Sequence, residues 1–255
     1  MTGSGRRAAA AVPIFLDDGG VISDNRQRGP QWRRLVGAFF APRLGGSAEA
    51  WGHANGAFAE QLFEPAAWQA RLASAPDYAT YEQRYYLDWL RGMTDRLDIA
   101  LPSSEAEQIA LAREANFWIT RRVRADFPGV VDAILTLHAA GHPLYTASGE
   151  ASTDLTGYLG VLEVTHCFRR LYGPDLVGVL KFGPAYYEAI FADASLEPRD
   201  VLLVDDDPEA AAWASSVGAT VVLVGEHGHR APPGVTALGS LAELPGWLDS
   251  TSARR

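Results

Sequence analysis

A chain of 255 residues, 47% hydrophobic and 21% charged, can bury a core and a smaller companion, which excludes a disordered or fibrous polymer. Its formal net charge of −9, with no Lys/Arg-rich run, excludes the broad positive field that nucleic acid needs. A compact anionic substrate held by one lysine and a metal ion stays compatible with it. A single cysteine, Cys167, excludes an intramolecular disulfide and a cysteine-based metal cluster.

In chain order, Arg6-Arg7 and the apolar stretch after it superficially match a twin-arginine export signal, but the stretch is short and runs straight into Asp17-Asp18. With no membrane span in the sequence, a cytoplasmic protein is expected. Residues 11–16 are a continuous apolar run stopped by Asp-Asp-Gly-Gly, the pattern of a strand buried on both faces. Residues 26–125 carry no strand pattern and four helical ones, at 31–40, 49–72, 78–97 and 104–122, the last with Ser103-Ser104 and acids at its start. Beyond them, helical periodicity at 130–140, 185–196 and 209–217 alternates with apolar runs at 142–146, 201–204 and 220–224. Alternation of this kind predicts an α/β fold with a parallel sheet and helices on both faces, residues 1–25 and 126–255 forming the core and 26–125 a helical insertion. Ligands bind such sheets at the carboxyl ends of the strands. Three strands end in polar residues, Asp17-Asp18, Thr146-Ala147-Ser148 and Asp205-Asp206-Asp207, which are therefore expected to share one crevice.

Four short patterns fall in order on these elements. They are Phe15-Leu16-Asp17-Asp18-Gly19-Gly20-Val21, Leu144-Tyr145-Thr146-Ala147-Ser148, Lys181-Phe182-Gly183-Pro184 opening a helix, and Val201-Leu202-Leu203-Val204-Asp205-Asp206-Asp207-Pro208. Together they resemble the motifs of the haloacid dehalogenase superfamily over residues 11–25 and 127–225. The resemblance implies a Rossmann-like parallel sheet core with a helical cap domain, and a hydrolase acting on a small molecule as monomer or homodimer, with neither nucleic acid nor membrane as partner.

By that resemblance Asp17 is the nucleophile. A carboxylate at a strand end can form a covalent ester and so divide one hard displacement into two easier ones. Thr146 and Lys181 hold the oxygens of the transferred group, with Thr146, Ala147 and Lys181 as the substrate-binding positions. Asp17, the carbonyl of Gly19 and Asp206 are the implied ligands of Mg2+, a cation that takes hard oxygens, with Asp205 or Asp207 supporting them. In the family's phosphatases a second aspartate stands two residues after the nucleophile and protonates the leaving group; here that residue is Gly19, which cannot transfer a proton. The family's dehalogenases also lack it, but typically carry Ser and Asn where this chain has Asp205 and Asp207. A magnesium-dependent phosphate-ester hydrolase is therefore expected, with attack on a carbon-halogen bond or a retired binding scaffold as alternatives. The insertion is rich in aromatics, most of them expected in its core; His53 reads first as a surface or core histidine and second as a replacement for the missing acid.

Overall fold

The computed structural model describes residues 11–225, 231 and 235–252, so Arg6-Arg7 lies outside the described residues. Its six strands, β1 (Ile14–Leu16), β2 (Leu144–Ala147), β3 (Phe168–Tyr172), β4 (Leu202–Asp205), β5 (Thr220–Val224) and β6 (Thr236–Leu238), form one sheet in the order β3-β2-β1-β4-β5-β6. Every pairing is parallel. The chain goes from β1 outward on one side and then returns to the other side of β1, which puts a topological switch point, the usual ligand crevice, at its carboxyl end.

Side-chain alternation sorts the strands between two cores. Ile14, Leu16, Leu144, Leu202, Val204 and Val222 pack with residues of α6 (Val130–Ala139) and α7 (Ser152–Val161). Phe15, Tyr145, Ala147, Leu203, Val221 and Leu223 pack with α9 (Pro184–Asp193), which follows the short α8 (Pro174–Val177), and with α10 (Pro208–Ser216). Asp17 and Asp205 share the parity of Phe15 and Leu203, so both carboxylates belong to the α9 side of the sheet. Lys181, just before α9, comes from that side.

Between β1 and β2 stand α1 (Asn25–Leu44), α2 (Ala48–Leu62), α3 (Pro65–Ser74), α4 (Tyr78–Leu97) and α5 (Glu105–Thr120). They enclose a core of their own in which Phe39, Phe40, Trp51 and Trp89 are buried, the Phe40 and Trp51 rings stacked at 4.8 Å. Entry and exit run side by side: Asp24 N donates to Ala125 O (2.6 Å) and Phe127 N to Ile22 O (3.0 Å). A two-stranded neck thus joins the helices to the sheet.

Several elements depart from the sequence reading, three of them near the site or its insertion. The helix expected at 49–72 divides, because Pro65 can only open a helix there and Glu64 caps it by accepting from Ala67 N. Helix α7 carries Gly157, whose missing side chain leaves room for Thr120; a Cβ would lie 2.6 Å from Thr120 Oγ1. Strand β3 exposes Arg169 and Arg170, so no apolar run announced it. Among the described residues no helix is long and apolar enough to cross a membrane.

Candidate active site

Asp17 extends the β1 ladder, its N–H donating to Val204 O at 3.0 Å, and the chain then turns back on itself, Ile22 N and Ser23 N both donating to Asp18 O. Gly20 sits in this turn at φ +81°, and a Cβ there would fall 2.0 Å from Asp206 Oδ2. Only glycine lets the turn press against Asp206. Gly20→Ala is expected to cost about 2 kcal/mol or more, the left-handed penalty of roughly 1–2 kcal/mol plus the displaced carboxylate. If Asp206 holds a divalent cation, displacing its carboxylate would also weaken magnesium binding. Urea denaturation and a magnesium titration check this, and unchanged values in both would contradict it.

Lys181 joins the cluster at its centre, 3.1 Å from Asp17 Oδ2 and 2.8 Å from Asp205 Oδ2. Carboxylate oxygens of Asp17, Asp205 and Asp206 all lie within 4.8 Å of one another, so one ammonium faces three acids. Burial raises the Asp17 carboxyl to about 8, with Lys181 opposing and Asp205 and Asp206 adding to the rise. Burial, then Asp205, raises Asp206 to about 6. Lys181 is held charged: burial would lower its pKa, but Asp17 and Asp205 outweigh it. Hard oxygen donors this close, with negative charge that one lysine leaves uncompensated, fit a divalent cation held by Asp17 and Asp206.

The pH dependence follows in sign. The folded state holds protons on Asp17 and Asp206 that the unfolded chain, with ordinary carboxyls near about pH 4, releases. Their contribution to stability is complete below that pH and is lost as pH rises through about 6 and about 8. Magnesium would replace those protons, so its thermal stabilisation should grow between about pH 5.5 and about pH 8.5. A melting-temperature series in both variables checks it; a shift independent of pH would contradict it.

The other expected residues are placed as follows. Asp205, fully buried, binds Lys181 and accepts from Asp207 N, while Asp207 caps α10 by accepting from Glu209 N. Thr146 pairs with Leu16 in the register, but its buried hydroxyl donates to Tyr172 O at 3.0 Å, and Ala147 is buried beside Phe15 and Tyr145. Ser148, tied through its carbonyl to the Tyr186 hydroxyl, is the β2-end side chain that borders the cavity. Gly19 borders the cavity next to Asn25, whose Nδ2 lies 3.2 Å from where a Cβ would stand. His53 is exposed and does not border the cavity, which corrects its candidacy as an acid. Asp18 cannot take that role either: it is fully buried, bound by Ser23 Oγ at 2.9 Å and by the Arg28 guanidinium.

Arg28 was absent from the sequence reading. It bridges Asp18 on the β1 loop to Glu150 beyond β2, with its guanidinium 4.4 Å from the Tyr158 ring. Such a contact between elements 122 residues apart has no local signature. The cavity itself is about 620 Å³ and runs from Asp17 and Gly19 under the insertion, along Trp32, Phe58, Trp68, Tyr81, Tyr85, Tyr86 and Trp89.

No family model matches the chain. It is 24% identical over 139 residues to a phosphoglycolate phosphatase of Haemophilus influenzae (strain 86-028NP), a match over 53% of this chain that spans 60% of the relative's length. Among solved structures, an L-2-haloacid dehalogenase superposes with a TM-score of 0.64 at 18% identity, covering 94% of this chain and 100% of that one. A β-phosphoglucomutase from Clostridium difficile does so with a TM-score of 0.56 at 13% identity, covering 96% and 98%. The chain therefore has the fold of the haloacid dehalogenase superfamily, a Rossmann-like parallel sheet with a helical insertion after its first strand.

Proposed function

We propose that this chain is a magnesium-dependent hydrolase of small-molecule phosphate esters that works through a phosphoryl group carried on Asp17. The observation that carries this reading is the convergence of Asp17, Asp205 and Asp206 on a single lysine at the switch point of the sheet. The acid content at 205–207 favours phosphoryl transfer, which uses a cation, over displacement of a halide, which does not.

Asp17 attacks phosphorus, forming one P–O bond while the ester P–O bond breaks and the alcohol leaves with the bonding pair. Lys181, fixed by Asp205, offsets charge on the transferred oxygens and, with a bound cation, would favour the ionised form of Asp17 that attacks. Asp17 and Asp206 would hold Mg2+, which when bound neutralises phosphoryl charge. Water then attacks phosphorus, the bond between Asp17 and phosphorus breaks with its electron pair returning to the Asp17 carboxylate, and inorganic phosphate leaves with the proton of the water. No side chain at Gly19 can protonate the departing alcohol, and the Asn25 amide beside it can only hydrogen-bond. Esters with good leaving groups should therefore turn over fastest.

Acetyl phosphate and p-nitrophenyl phosphate with and without magnesium test the reading. Magnesium-dependent phosphate release supports it, and undiminished release with a chelator would sink it.

A further inference from the structure

The cavity that opens on Asp17 ends on a wall that combines aromatic rings with an acid lacking a cation. Asp154, in the first turn of α7, borders the cavity and is 8% exposed. One oxygen accepts from Asn116 Nδ2 at 2.6 Å, and the same amide reaches the Tyr86 hydroxyl at 3.2 Å. Among the described residues its other oxygen takes no hydrogen bond, and no lysine or arginine pairs with it. Burial, with Glu150 adding, lifts its carboxyl to about 7, as expected of an acid with no cation beside it. The arginines that border the cavity are already engaged, Arg28 by Asp18 and Glu150 and Arg33 by Glu60. Around Asp154 stand Tyr78, Tyr85 and Tyr86, whose hydroxyls are pushed up by burial and by surrounding carboxylates, Asp154 among them.

An anionic substrate arm would meet Asp154, which has no cation paired with it, while the charge of Glu150 is already engaged by Arg28. An uncharged apolar arm would bury the second oxygen of Asp154 with no partner, which is costly. A cationic arm satisfies both parts of the wall, through the ring faces and through the carboxylate.

We propose that this wall is a subsite for a cationic organic group, so that the favoured substrate is a phosphate monoester of an alcohol bearing a quaternary or protonated amine. The phosphoryl end of such a molecule would lie at Asp17 and its ammonium against Tyr86 and Asp154. The substrate class rests on the phosphoryl-transfer reading; the subsite does not.

The test uses the full chain and two isosteric pairs. Choline, followed by tryptophan fluorescence, is expected to bind about tenfold more tightly than uncharged 3,3-dimethylbutanol. Phosphocholine should exceed 3,3-dimethylbutyl phosphate in kcat/KM by a similar factor. Asp154→Asn, which keeps the shape of the side chain, should bring both ratios towards one; if that variant fails to fold, the wild-type pairs decide alone. Equal binding within the pairs, or preference for the uncharged members or for the anionic ester 2-phosphoglycolate, would overturn the subsite. Acetyl phosphate, which has no organic arm, reports on the reaction separately. Choline preference without acetyl phosphate turnover keeps the subsite and refutes the hydrolase; turnover without choline preference keeps the hydrolase and refutes the subsite.

Discussion

Asp17→Asn is expected to lower magnesium-dependent phosphate release by about 10³-fold or more, because the amide cannot form the phosphoryl ester on which both half-reactions depend. The fold should survive the change. Asn matches Asp in shape, and it removes one of three acids that crowd Lys181. At neutral and alkaline pH the metal-free variant should be at least as stable as the wild type, since the buried Asp17 carboxyl, raised to about 8, costs free energy when it ionises. Steady-state rates and thermal melts of both proteins separate the two effects. A variant that melts normally and retains full turnover would remove Asp17 from the chemistry.

Gly19→Asp is expected to act in the opposite direction, as a gain. The position is free of left-handed strain, and the atom nearest a new Cβ is the movable Asn25 amide at 3.2 Å. A carboxyl there would border the cavity beside Asp17 and could donate a proton to a departing alkoxide. General acid catalysis contributes about 10²–10⁴-fold when well placed, and a first-generation variant should recover at least about tenfold of it. The gain should appear for alkyl phosphates, whose leaving alkoxide needs a proton, and be small for acetyl phosphate, whose carboxylate leaves unaided. Comparing kcat for an alkyl phosphate and for acetyl phosphate in both proteins checks this. A variant that binds magnesium but shows no selective gain with alkyl esters would mean that something other than the missing acid limits turnover.

The sheet was legible because its strands are buried on both faces: residues of β1, β2, β4 and β5 stand out as apolar runs, and the polar ends that close the first three meet at one edge. The edge strands β3 and β6 carry no such run, because one side of an edge faces solvent or a single neighbour. Asp17, Lys181 and Asp206 were singled out from motif order, and the structure brings them close together, with Lys181 reaching Asp17 and Asp205. What the sequence did not disclose depends on three-dimensional approach. Arg28 reads as one more charge on a helix, yet it is 8% exposed and ties the β1 loop to Glu150. Asp154 and Asn116 lie on helices that meet only after folding. Asn25 takes on meaning only once it is seen beside a glycine with no side chain.

The central claim is that Asp17 carries the phosphoryl group. Rapid quenching of the enzyme with acetyl phosphate and magnesium, followed by peptide mass spectrometry, tests it directly. A phosphoryl adduct on the peptide containing Asp17, formed only with magnesium and absent from Asp17→Asn, is the predicted result. Full turnover with no adduct at Asp17, or an ester to carbon formed there from a 2-haloacid without magnesium, would contradict it.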